Sequence, residues 1–284
     1  MKLIRFGEFK KEKPGVVLSD GSRKDLSGYF ADWDHNFFAG NGLKKLTEIL
    51  KTEMGKLPDV SQDIRLGCCV ARPGKVVCIG LNYSDHAAEA GMAIPTEPII
   101  FMKGSNTVVG PNDHLLIPRK SVKTDWEAEL GVVISKDARY LNSPSEAPEY
   151  IAGYCVSNDV SERAFQLERG GQWTKGKSCD SFNPLGPWLV TKDEIKNVQN
   201  LEIKLSVNNI LRQKGNTKFM IFDINFIIHY VSQFMTLEAG DVLSTGTPAG
   251  VGMGTKPQQF LKASDIVELS IEGLGSQKQI CINA

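Results

Sequence analysis

Apolar and polar positions divide the chain into many short strands and a few helices. Residues 1–6 and 15–18 read as strands, and Ser19-Asp20-Gly21 supplies the backbone angles of a tight turn. Leu43, Leu46, Ile49 and Leu50 recur at helical spacing, which predicts a helix over 42–54. The charged, Pro-containing stretch 56–73 reads as a connector. Val76-Val77-Cys78-Ile79-Gly80-Leu81 and Pro98-Ile99-Ile100-Phe101-Met102 are apolar enough to be buried strands. Ser84 or Asp85 can cap a short helix within 82–90. The stretch 125–134 ends in a Leu, Val and Ile run and reads as a core strand. A helical piece over 143–150 precedes a strand over 151–157. Residues 161–169 look helical, and 188–190 form a short strand. Leu201, Ile203, Leu205 and Val207 alternate with polar residues before the hairpin signal Asn208-Asn209. Asp223 caps a helix carrying Ile224, Ile227, Ile228, Val231 and Phe234 on one face. Strands over 240–244 and 265–271 complete the pattern, the second being the last expected. The fold class is α+β and β-rich, with a small N-terminal unit over 1–70 and a larger domain over 71–284.

The candidate chemistry starts in the stretch 125–134. Strand side chains alternate faces, so Glu127 and Glu129 point the same way. An isolated E-x-E is usually a solvated edge. At the entry to a buried strand, two adjacent carboxylates repel and are costly without a partner. A divalent cation removes that cost, and oxygen-only ligands suit a hard ion such as Mg2+. Asp159 is a third carboxylate at a strand end. His86 and Glu89 lie three apart and share a helix face, so the carboxylate can orient the imidazole as a general base. Lys103 ends a buried strand.

Residues 171–178, Gly171-Gln172-Trp173-Thr174-Lys175-Gly176-Lys177-Ser178, match the letters of a nucleotide phosphate loop. That mechanism needs a strand before the loop and a helix after it. Here a polar, helix-like segment precedes it, and Asn183-Pro184-Leu185-Gly186-Pro187, which cannot open a helix, follows. The match is read as accidental, and ATP or GTP binding lost on Lys177→Ala is what would revive it. Thr245-Gly246-Thr247-Pro248-Ala249-Gly250-Val251-Gly252 can bring amides and hydroxyls close to a ligand.

Formal net charge is zero, with 33 basic and 33 acidic residues, which gives no electrostatic reason to expect nucleic acid or an anionic membrane as partner. The six cysteines include no C-x-x-C pair and read as reduced thiols. No stretch approaches the ~20 apolar residues of a membrane helix, and residues 1–6 lack the apolar core of a signal peptide. A cytoplasmic protein is expected.

In order along the chain, these pieces resemble the fumarylacetoacetate hydrolase superfamily. The matching motifs are Gly80-Leu81-Asn82-Tyr83 with His86 and Glu89, Phe101-Met102-Lys103, Glu127-Ala128-Glu129-Leu130 and Asn158-Asp159. They continue with Gly176-Lys177-Ser178-Cys179-Asp180, Pro184-Leu185-Gly186-Pro187 and Thr245-Gly246-Thr247-Pro248, and span about 73–273. The phrase over 160–173, Val160-Ser161-Glu162-Arg163-Ala164-Phe165-Gln166-Leu167-Glu168-Arg169-Gly170-Gly171-Gln172-Trp173, is similar to one branch. That branch holds 2,4-diketo-3-deoxy-L-rhamnonate and L-fuconate hydrolases and bacterial proteins often called ureidoglycolate lyase. The phrase also resembles mitochondrial members acting on oxaloacetate.

The resemblance implies a rolled mixed β-sheet catalytic domain, a small N-terminal domain and a homodimer. It implies Mg2+, or Mn2+, held by Glu127, Glu129 and Asp159. It assigns water activation to His86 and Glu89 on a closing lid, and places Lys103 and Lys177 near the substrate. Thr247 would contact the substrate carboxylate, and Gln166 would also bind substrate. A divalent Lewis acid that stabilises an enolate serves C–C hydrolysis, decarboxylation and keto–enol tautomerisation alike. The expected reaction is hydrolysis of a 2,4-dioxo acid, such as a 2,4-diketo-3-deoxy sugar acid, to release pyruvate. In it Lys177 helps to hold the departing enolate. The alternatives are an oxaloacetate tautomerase or decarboxylase, and a ureidoglycolate lyase.

Overall fold

The computed structural model describes residues 1–89 and 91–284. Ala90, at the end of the short helical segment expected over 82–90, lies outside the described residues. An eleven-stranded mixed sheet forms the main layer. Ten strands run in the order Asp59–Val60, Arg23–Asp25, Lys13–Val17, Lys2–Phe6, Asn183–Thr191, Ile151–Asn158, Ala128–Ile134, Val242–Ser244, Val76–Gly80 and Ile99–Lys103, and Val108–Val109 pairs with Asn183–Thr191 to one side. A five-stranded sheet, in the order Ile210–Asn216, Glu202–Val207, Ile266–Ile271, Gly275–Asn283 and Leu115–Ile117, supplies the second layer. The principal core holds Leu130, Val132 and Val156 of the first sheet with Ile203, Leu205, Val267 and Leu269 of the second, and Ile227, Ile228 and Val231 of the helix Ile224–Ser232. This is the β-rich α+β architecture expected. The strand Lys2–Phe6 pairs directly with Asn183–Thr191, so the main sheet runs without a break from the first 70 residues into the rest.

Several elements differ from the pattern reading. The stretch 56–73 contains a strand, Asp59–Val60, and buries Cys68, Cys69 and Val70 in the N-terminal core. Its charge hid short apolar anchors. Residues 161–169 split into a two-residue strand, Ser161–Glu162, and a five-residue helix, Arg163–Leu167, whose N-terminus Glu162 caps by accepting from Phe165 N. The strand near 188–190 extends over Asn183–Thr191 through its prolines. The last strand is Gly275–Asn283, beyond the one expected as final. Its buried positions include Gln277 and Gln279, which a hydrophobic count reads as polar. Two helices and a hairpin turn follow their signals: Gly42–Thr52, Ile224–Ser232 capped by Asp223, and the Asn208-Asn209 turn with both residues left-handed.

Candidate active site

Antiparallel register brings the acidic residues together. Ala128 pairs with Asn158, so Glu127, one residue before its strand, lies opposite Asp159, one residue after the neighbouring strand. The Asp159 amide donates to the Glu127 carbonyl at 2.9 Å. On the other side Gly131 pairs with Ser244, which carries the loop after Val242–Ser244 past Glu129. The Gly246 amide donates to Glu129 Oε2 at 2.9 Å. Ligand atoms of Glu127, Glu129 and Asp159 all lie within 4.8 Å of one another, and all three side chains are buried. The strand entry would leave backbone amides unpaired inside the protein. One side chain from each sheet closes the gap: Gln213 Oε1, from the second layer, accepts from Ala128 N, and Asn158 Oδ1, from the neighbouring strand, accepts from Glu127 N.

Three cations face this cluster. Lys177 Nζ bridges Glu127 Oε2 at 2.7 Å and Asp159 Oδ2 at 2.8 Å. Lys103 Nζ donates to Asp159 Oδ1 and to Val160 O. Arg163 lies 2.7 Å from Glu127 Oε1 and donates from Nε to Asp125 Oδ2 at 2.8 Å. Burial alone would push Glu127 up, but the Lys177 and Arg163 charges hold its carboxyl well below the usual range. Glu129 has no ion pair of its own among the described residues. Burial, with the Asp159 and Glu127 charges added, pushes it well above the usual range. Burial would lower Lys177, yet Asp159 and Glu127 raise it, so the ammonium stays charged.

Four buried carboxylates, counting Asp125, thus face three buried cations. With all four carboxylates ionised the cluster would carry one uncompensated negative charge, and it would fall on Glu129, which without an ion is pushed toward its protonated form. An all-oxygen donor set with a surplus charge fits a hard divalent cation. With a divalent ion bound the site would become net positive by one, which suits an anionic ligand.

His86 enters from the helix Ser84–Glu89, where it and Ala87 are buried. Its Nδ1 faces Glu89 Oε2 at 3.4 Å, and both Glu89 oxygens accept from Gly250 N at 3.0 and 3.1 Å. The helix starts at Ser84 itself, so neither Ser84 nor Asp85 stands outside it as a cap. Asn82 anchors its approach, donating to Phe222 O and Thr245 O and accepting from Phe222 N. A cavity of about 90 Å3 is lined by His86, Glu127, Glu129, Lys177, Gln166 and Thr247 on its polar side. Leu81, Met92, Phe101, Trp173 and Met253 form much of the rest.

The other sequence candidates take definite positions. Lys103 is buried against Asp159 and is not among the residues lining that cavity. Gln166 lines it and accepts from Arg163 at 3.3 Å. The Thr247 hydroxyl donates to Ala128 O at 2.9 Å and accepts from Gln213 Nε2 at 2.7 Å. Its single proton is therefore already used, and contact with a carboxylate requires it to leave Ala128 O. The phosphate-loop letters fall on a four-residue helix, Thr174–Lys177, with Lys177 turned into the acidic cluster. Gly176 is there for packing, since a Cβ would lie 2.3 Å from Glu162 O.

Asp125 and Arg163 were not singled out as site residues in the sequence. Asp125 continues the alternation of Glu127 and Glu129, so the signal was present. Asp125 also accepts from Gly252 N at 2.6 Å and Met253 N at 3.0 Å. Asp125→Asn cannot accept at both oxygens, and leaves Arg163 to pull on Glu127 alone. Outer hydrogen-bond partners of metal ligands are worth about 10–100-fold in affinity. We expect Asp125→Asn to weaken Mn2+ binding by that factor in isothermal titration. An unchanged affinity would mean that Arg163 does not compete with the ion for Glu127.

Fold and site together define a β-rich α+β enzyme with a buried carboxylate centre suited to a divalent ion. The chain belongs to the fumarylacetoacetate hydrolase family: the family's sequence model, described as fumarylacetoacetate (FAA) hydrolase C-terminal, matches residues 75–280. A Burkholderia multivorans protein named as a hydrolase is 50% identical over 281 residues, covering 99% of this chain and 98% of that protein. The solved fumarylacetoacetate hydrolase of Exiguobacterium antarcticum is 34% identical, with a TM-score of 0.87 and full coverage of both chains. Maleylpyruvate hydrolase of Sphingobium sp. SYK-6, solved with manganese(II) and pyruvate, is 25% identical, with a TM-score of 0.83 and full coverage of both chains.

Proposed function

We propose that the protein is a Mg2+- or Mn2+-dependent hydrolase that cleaves the C3–C4 bond of a 2,4-dioxo acid and releases pyruvate. The observation that carries this reading is His86, backed by Glu89 at 3.4 Å, on the same small cavity as Glu127, Glu129 and Lys177. A site for enolisation alone has no need of a water-activating pair. A divalent ion held by Glu127, Glu129 and Asp159 supplies Lewis acidity toward the oxygens of the 2-oxo acid. Glu89 fixes the imidazole through Nδ1, leaving Nε2 to take a proton from water. The water oxygen bonds to C4 as the C3–C4 bond breaks. The C4 fragment leaves as a carboxylic acid. The electron pair passes to C3, giving the enolate of pyruvate, which is then protonated at C3. Lys177, held charged by its carboxylate partners, sits where it can offset the enolate's charge. Of the Sphingobium protein, pyruvate in the solved complex accords with such a product.

Within the family, the likeness of the phrase over 160–173 to one branch supports a 2,4-diketo-3-deoxy sugar acid as our choice of substrate, and we include a homodimer in the same proposal. The second reading, oxaloacetate tautomerisation or decarboxylation, uses the same acidic cluster without the water step. A panel of 2,4-dioxo acids and oxaloacetate, assayed with Mg2+, Mn2+ or EDTA, decides between them. The expected result is metal-dependent pyruvate release from a 2,4-dioxo acid. Turnover of oxaloacetate alone would overturn the hydrolase assignment.

A further inference from the structure

The two halves of the site are joined through one short stretch of backbone. Gly250 N holds both oxygens of Glu89, while Gly252 N and Met253 N hold the two oxygens of Asp125. Asp125 pairs with Arg163, and Arg163 with Glu127. The route from His86 to the acidic cluster thus runs through residues 250–254. Packing around Glu89 is equally specific. A Cβ on Gly254 would lie 2.2 Å from Glu89 Cδ and 2.6 Å from Oε1. Gly254 is outside the positive-φ glycines, so its backbone accepts alanine. The obstructing atoms, Cγ at 2.4 Å among them, belong to a flexible, partly exposed side chain, which has to swing away and give up its bonds to Gly250 N.

We infer that the 250–254 loop is a positioning device that registers the water-activating pair against the metal cluster, and that Gly254 is the residue that leaves Glu89 its place. The inference rests on the assignment of His86 and Glu89 to water activation. Gly254→Ala displaces Glu89 and disengages the dyad without touching Glu127, Glu129 or Asp159. It therefore separates hydrolysis, which needs activated water, from enolisation, which does not.

The test uses the full-length, Mn2+-loaded protein as wild type, Gly254→Ala, Glu89→Ala and the double variant. Pyruvate release from 2,4-dioxopentanoate reports hydrolysis. Metal-dependent deuterium exchange at C3 of pyruvate in D2O reports enolisation. General-base catalysis contributes roughly 10²–10⁴-fold. The expected result for Gly254→Ala is a kcat for hydrolysis lower by about 100-fold, with KM and C3 exchange within about twofold of wild type. The double variant should be no slower than Glu89→Ala, because both changes act on one group. Wild-type hydrolysis in Gly254→Ala, or equal loss of hydrolysis and exchange, would overturn the inference. Should wild type exchange C3 protons yet hydrolyse none of the dioxo acids, the hydrolase reading fails separately. Thermal melts then decide the loop's role: non-additive effects of the two substitutions keep it, and additive effects end it.

Discussion

On the proposed hydrolase reading, His86→Ala should lower kcat for 2,4-dioxo acid hydrolysis by about 10³-fold, within the range for a positioned general base, and should leave Mn2+ affinity and oxaloacetate decarboxylation close to wild type. The physical basis is a division of labour on one cavity. His86 is buried and is the one histidine among the described lining residues, so no second imidazole can take over its proton. It touches the metal cluster only through space, and the ligands keep their own partners: Lys177 and Arg163 on Glu127, Gly246 on Glu129, Lys103 and Lys177 on Asp159. KM should move little, because the proposed 2-oxo acid would bind at the cluster rather than at the imidazole. Stopped-flow turnover with a matched Mn2+ titration checks both halves. Retained hydrolysis would show that water is activated elsewhere. Parallel loss of metal affinity would show that His86 shapes the cluster instead.

Much of this site is legible in the sequence, for reasons that can be traced residue by residue. Glu127 and Glu129 stood out because two charges at the entry to an apolar run contradict its burial, and contradictions of that kind mark sites. His86 and Glu89 were legible because helical spacing converts sequence distance into contact. Arg163 was not, because it lay in a segment read as one polar helix. Its burial comes from the strand Ser161–Glu162, which pairs with Thr124–Asp125. The position of Asp159 opposite Glu127 depends on antiparallel register, which no local pattern states. The strand Gly275–Asn283 escaped notice because its buried face carries Gln277 and Gln279. Gln277 donates to Val156 O of the main sheet, and Gln279 to Pro111 O in the turn after Val108–Val109. A polar residue buried to pair backbone groups looks, in sequence, like a surface one. The lookalike phosphate loop fails for the converse reason: its glycine and lysine are both used, but for helix packing and for charge balance.

Charge imbalance gives the second large effect, and its sign depends on whether the ion is present. Glu129 is pushed above the usual carboxylate range first by burial and then by Asp159 and Glu127. In metal-free protein the folded state therefore keeps a proton that the unfolded chain releases above about pH 4.3. Its contribution to stability is complete below that pH and is lost as pH rises through the folded pKa, at up to about 1.4 kcal/mol per unit. Glu127 acts oppositely: held low by Lys177 and Arg163, it contributes stability above its unfolded pKa that is lost as pH falls. Glu129→Gln is neutral at every pH and still accepts from Gly246 N. Metal-free Glu129→Gln should thus melt at or above the wild-type temperature at pH 8, and the difference should shrink toward pH 5. With Mn2+ the order reverses, because the ion needs the ionised carboxylate and wild-type binding releases its proton. Loss of a direct ligand should weaken Mn2+ by more than the 10–100-fold typical of an outer partner, and hydrolysis should fall with it. Melting curves from pH 5 to 8, in EDTA and in saturating Mn2+, give the full comparison. Equal stabilisation of both proteins by Mn2+ would remove Glu129 from the ligand set, and a metal-free variant less stable than wild type at pH 8 would remove the charge surplus from the account.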